Sequence, residues 1–185
     1  MSVLILGVGN ILLTDEGIGV RTVEALQQQY HMPDGVELVD GGTAGMELME
    51  IMANREHVIL IDAINTGAAP GTLVTLEEED VPALFRSRIS PHQLGISDLL
   101  GVMTLTGELP RHFTLFGVVP YSMDTGVELT KAMKSKRDQL VVKVVSKLKI
   151  MGLKATERAE PADCLNYALR PDSAELYITR SLGRN

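Results

Sequence analysis

The 185-residue chain has no tryptophan, four tyrosines and three phenylalanines, so its core has to be aliphatic. One cysteine, Cys164, excludes an intrachain disulfide and fits a reducing, cytoplasmic setting. No segment approaches the roughly 20 apolar residues of a membrane span. The opening Met-Ser-Val-Leu-Ile-Leu-Gly has no basic stretch before its short apolar run, so no signal peptide is expected. Basic residues are in deficit, 17 against 24 acidic, for a net charge of −7. Nucleic acid is therefore not an expected partner, and neither is a membrane. There is no Gly-rich phosphate loop ending in Lys-Ser or Lys-Thr, and no Gly-x-Ser-x-Gly elbow.

What is present is organised around Val3 to Val20, VLILGVGNILLTDEGIGV. Val3 to Leu6 is a continuous apolar run, too short for a helix and suited to a strand buried on both faces. Gly7, Gly9 and Asn10 break the chain, and Thr14-Asp15-Glu16-Gly17 leads into an apolar-periodic helix over about 17–30. Similar runs predict strands at Val36–Val39, Val58–Ile61 and Phe113–Val119. Thr72–Leu76 alternates like a strand at a sheet edge. Short helical stretches are expected at 46–53 and from Ser90-Pro91-His92 onward, where Ser caps and Pro opens the helix. A long C-terminal helix is expected over about 126–151. Helices alternating with apolar strands predict a three-layer α/β/α sandwich on a mostly parallel sheet of about five strands. The domain would span 1–151, with 152–185 as an extension, packed or partly flexible. The basic run 131–149 reads first as a solvated helix face, and second as a docking surface for an acidic partner. Met46, Met49 and Met52 suit either an adaptable contact surface or the core.

Three of these strands end in an acid or lead to one: the first to Glu16, the second to Asp40, the third to Asp62. In a parallel sheet those ends share one edge, where open α/β folds bind their ligands. Each acid alone also has a structural reading, because Asp favours turns and helix caps. With His92 at a helix start, two or three carboxylates and an imidazole would suit a divalent transition ion such as nickel or zinc. Gly7-x-Gly9 resembles the start of a dinucleotide fingerprint, with Asp40 where a ribose-binding acid would sit, but Leu12 occupies the third glycine position. His31, His57 and His112 stand at element ends and are expected at the surface.

GVGNILLTDEGIGV, VDGGTAGMEL from Val39, Asp62-Ala63 and ISPHQLGISDLL around His92 together resemble the nickel–iron hydrogenase maturation endopeptidases, over about residues 1–150. The resemblance implies an endopeptidase that removes a C-terminal peptide from the nickel-loaded precursor of a hydrogenase large subunit. It implies that Glu16, Asp62 and His92 contact the metal, and that Asp40, Gly41, Gly42 and Thr43 form the substrate-recognition loop. Glu16 and Asp62 would carry the catalysis, of an aspartic or metal-dependent type. The nickel would come with the substrate, and another divalent ion could substitute. The expected partner is the hydrogenase large-subunit precursor and the expected state is a monomer. Two rivals remain open at this level: a non-catalytic, metal-sensing chaperone for the same precursor, and a nucleotide-dependent α/β enzyme.

Overall fold

The computed structural model describes residues 1–87 and 93–159. Five strands form one sheet: β1 (Val3–Val8), β3 (Val36–Gly42), β4 (His57–Ala63), β5 (Leu73–Glu77) and β6 (His112–Val118). Their order is β3-β1-β4-β6-β5. The first four of these neighbours are parallel, and β5 closes one edge antiparallel to β6. The sandwich expected from the sequence is therefore present, with its alternating strand at an edge. β1 is buried along its whole length because it is central and helices cover both faces, which is why its sequence runs apolar without alternation.

Alternate strand residues serve two cores. On one face Ile5, Ile59, Ile61 and Phe116 pack against α1 (Ile18–Gln29) and α5 (Lys131–Ile150). On the other, Leu4, Leu6, Leu60 and Leu115 pack against α2 (Met49–Met52), α3 (Asp80–Ser87) and α4 (Gln93–Thr106). α5 contributes Met133, Leu140, Val144 and Leu148, all fully buried. Each such side chain stabilises the fold by about 2 kcal/mol relative to an exposed one. Met52 is core and Met46 is exposed, so the methionine group divides between its two readings.

Several boundaries move. α5 starts at Lys131 rather than near 126, because the Thr130 hydroxyl caps it by accepting from Met133 N–H at 3.3 Å. The acidic stretch after β5 opens α3 at Asp80. The helix start expected at Ser90-Pro91-His92 lies outside the described residues, as does Cys164. The basic face of α5 is partly used internally, with Lys147 on Glu77 at 2.8 Å and Lys134 on Glu128 at 2.7 Å. Beyond α5 the chain crosses to the end of α1. There β2 (Tyr30–His31) pairs antiparallel with β7 (Thr156–Glu157). The Arg158 guanidinium donates to the carbonyls of Gln27 and Tyr30, both at 3.1 Å. A cation on the last carbonyls of a helix meets its negative end.

His57 is not at the surface: it is 7% exposed, and its Nε2 stands 2.9 Å from Thr114 Oγ1. It opens β4 in the middle of the sheet, so register alone buries it. Burial, then the nearby charges of Lys147 and His112, hold its pKa below the ordinary 6.5, against a weaker upward pull from Glu78 and Glu77. A neutral buried histidine contributes stability that is fully present above pH 6.5 and is lost as the pH falls through its depressed value. Urea midpoints measured between pH 7 and pH 5 should therefore decline less steeply for His57→Gln than for the wild type. Equal slopes would show that His57 does not govern the acid limb.

Candidate functional site

The carboxyl ends of β1, β3 and β4 lie side by side. Gly7 opposes Asp40 on β3 and Ile61 on β4, and Asp62 opposes Gly117 on β6. Asp40 and Ile61 thus sit at one level, two strand spacings or roughly 10 Å apart. From β1 the chain passes through a 3-10 turn, Thr14–Gly17, into α1. That turn packs against β4, which brings Glu16 to the edge where β4 ends, just past Asp62. α1 can descend this far because Gly19 has no side chain: a Cβ there would lie 2.2 Å from the Ile61 carbonyl oxygen and 2.3 Å from that of Val8. Gly7 meets Gly19 in the same contact, so its role is helix-to-strand packing.

Glu16 is 3% exposed and Asp62 is fully buried. Carboxylates in such positions need hydrogen bonds, a counter-charge or a cation to offset lost hydration. Asp62 has the parity of Leu60 and Ile64, on the face where Ile96 and Leu99 of α4 pack. The loop after β3 reaches the same face, and Gly45 lies so close to Gly95 of α4 that a Cβ on it would stand 3.1 Å from the Gly95 Cα. Within that loop Asp40 is exposed, and its Oδ1 accepts from Gly42 N–H at 2.8 Å. Its carboxylate thus shapes the turn. Gly41 is buried against Leu6 and Val8, and Thr43 is exposed. Glu16, Asp62 and the Asp40–Thr43 turn are therefore brought to one rim. His92 lies outside the described residues. Among the described residues no group of three His, Cys, Asp or Glu side chains stands together as a metal site.

One acid at the rim has a structural role that sequence reasoning missed. Asp15, beside Glu16, is fully buried. Its Oδ2 accepts from Tyr121 N–H at 3.0 Å, Ser122 N–H at 3.2 Å and the Thr130 hydroxyl at 3.0 Å, and its Oδ1 accepts from Thr130 N–H at 2.8 Å. It fastens the segment between β6 and α5 to the mouth of the first strand. The sequence held no signal of this, because the partners lie more than 100 residues away.

In layered, mostly parallel α/β proteins the rim at the strands' carboxyl ends is where ligands bind. Comparison with known proteins makes this specific. The family model described as hydrogenase maturation protease matches residues 20–147. The hydrogenase 2 maturation protease of Escherichia coli K12 is 52% identical over 159 residues, covering 85% of this chain and 97% of that one. The solved structure of the E. coli hydrogenase maturating endopeptidase HybD superposes with a TM-score of 0.82 at 51% identity, over 86% of this chain and 99% of that one. The NiFe hydrogenase maturation protease HybD from Thermococcus kodakarensis matches with a TM-score of 0.63 at 30% identity, over 80% and 99% of the two chains. The chain belongs to the hydrogenase maturation protease family, and is accordingly a hydrolase of the protease type. Among the described residues no helix is long and apolar enough to cross a membrane.

Proposed function

We propose that this protein removes a C-terminal peptide from the nickel-loaded precursor of a nickel–iron hydrogenase large subunit, and that it recognises the nickel its client carries. The observation that carries the reading is the placement of two buried carboxylates, on Glu16 and Asp62, at the same rim as the Asp40–Thr43 turn. In this reading Glu16 and Asp62 offer oxygens to the client's nickel and His92 offers a nitrogen, a mixed set suited to a borderline divalent ion. Another divalent ion can take the same place. A divalent ion next to a scissile carbonyl polarises it and acidifies bound water. The interior carboxylates of Glu16 and Asp62 orient the attacking water and take its proton. The glycines at 41 and 42 let the client's backbone lie close. The subtype is thus metal-dependent hydrolysis with aspartic-type participation, by a cytoplasmic monomer. The single cysteine supports the reducing setting.

The test is direct. The purified precursor, with and without nickel, is incubated with the protein, and its mass is measured. Loss of a C-terminal peptide from the nickel-loaded form alone is expected. An unchanged mass in both would favour a metal-sensing chaperone, and cutting of both would overturn recognition of nickel.

A further inference from the structure

Beside the carboxylates the chain presents apolar side chains to solvent. Ile11, Leu12, Tyr121, Met123 and Val127 are 38–59% exposed and come from only two loops, 10–14 and 119–130. Among the described residues the other large exposed apolar side chains are Met1, Met46, Leu105, Val142 and Ile150. The two loops are hydrogen-bonded to each other. Gly126 N–H donates to the Leu12 carbonyl and Thr14 N–H to the Gly126 carbonyl, both at 2.9 Å. The Thr14 hydroxyl donates to the Ser122 carbonyl at 2.9 Å, and Arg21 donates to the Val127 carbonyl at 2.8 Å. With the Asp15 carboxylate fastening the second loop from below, the apolar residues stand on a pre-formed backbone. A grouped apolar surface of this kind, rimmed by polar residues, marks an interaction site.

Charge names the occupant. The described loops at the carboxyl edge, 9–17, 40–50, 62–72 and 119–130, contain no Lys or Arg. They hold Asp15, Glu16, Asp40, Glu47, Glu50, Asp62, Asp124 and Glu128. The helices bring three cations to this side: Arg21, paired with Glu24 at 3.0 Å, Lys134, paired with Glu128 at 2.7 Å, and the exposed Lys131 that opens α5. The acids still outnumber these cations, so a partner that covers the apolar residues meets a net negative edge, and basic groups on it are attracted.

We propose that loops 10–14 and 119–130 form the landing surface for an extended client segment that is apolar and basic, next to the bond to be cut. This rests on the endopeptidase reading. The apolar side chains of the segment cover Leu12, Met123 and Val127, and its Lys or Arg residues face the acids around them. Pre-formed loops suit an extended peptide, since the protein loses little freedom on binding.

The experiment compares wild type, a Leu12→Ser/Met123→Ser/Val127→Ser variant and a remote Leu105→Ser/Ile150→Ser control. Binding of the nickel-loaded precursor is measured by biolayer interferometry, and KM, kcat and Tm are measured in parallel. For the triple variant, Kd and KM should rise about tenfold or more, with kcat within about twofold and Tm unmoved. The control should match wild type. Wild-type binding should weaken at least several-fold between low and moderate salt. Wild-type cleavage with an unchanged KM in the triple variant would overturn the surface while the endopeptidase reading stands. Binding without cleavage by wild type, with Kd raised in the triple variant, would leave the surface standing and end the endopeptidase reading. Salt-independent binding would overturn the basic occupant. A wild-type dimer in sedimentation, abolished in the triple variant while precursor Kd is unchanged, would assign the surface to a second copy instead. Absence of both binding and cleavage by wild type would overturn both proposals.

Discussion

Asp62→Asn and Glu16→Gln should each lower cleavage of the nickel-loaded precursor by about a thousandfold, as expected when a group that holds the ion or handles the proton is lost. The amide keeps the side chain's volume and removes its charge. Both positions are buried, so a non-isosteric change would mix a packing defect into the result. With the isosteric change, stability should stay within about 1 kcal/mol of wild type. Affinity supplies the second readout. If these carboxylates meet the client's nickel, the variants should lose affinity for the loaded precursor and bind the nickel-free one as wild type does. A parallel His92→Ala variant should show the same pattern. Cleavage within tenfold of wild type in both carboxamide variants would remove the carboxylates from the chemistry. A fall in Tm of many degrees would instead make them structural.

The rim is also where sequence and structure agree for a physical reason. β1, β4 and β6 were legible because central strands under two helical layers must be apolar at nearly every position. Parallel pairing then forces their carboxyl ends to one edge, so Glu16, Asp40 and Asp62 had to be neighbours in the sheet sense once the strands were placed. Less legible was whatever depends on a partner far along the chain. His57 reads as a polar residue at an element end, and only its place in the register beside His112 and Thr114 buries it. The apolar stripe of α5 gave no hint that residues 126–130 would be held as loop, because that loop is fixed by β1's turn and not by local propensity. The pairing of β2 with β7, and Arg158 on the end of α1, are likewise long-range. Asp40 was legible as a loop acid, but composition does not reveal its bond to Gly42 N–H, which shapes the turn.

Asp15→Ala should cost about 3 kcal/mol or more, the largest stability loss of any substitution at the rim. The carboxylate accepts four hydrogen bonds, three from backbone N–H groups of residues 121, 122 and 130. Hydrogen bonds to a charged acceptor contribute about 1.5–3 kcal/mol each, and a buried donor left unmade loses its hydration as well. Partial solvation of the freed loop offsets some of this, which keeps the sum well below simple addition. For a domain of this size the Tm should fall by roughly 6–12 °C. Asp15→Asn should fall between, since one amide oxygen still accepts while its NH₂ faces a donor. The effect should pass through Thr130, whose hydroxyl donates to Asp15 and accepts from Met133 N–H, so one side chain joins the loop anchor to the cap of α5. Thr130→Val should therefore be non-additive with Asp15→Ala in a double-mutant cycle, with a coupling of about 1 kcal/mol. Hydrogen exchange should also speed up at residues 121–130 before it does in β1 or β4, because loosening starts where the anchor is lost. Exchange that rises uniformly over the whole domain, or additive losses in the cycle, would mean that Asp15 supports the core at large and does not hold the loop beside the site.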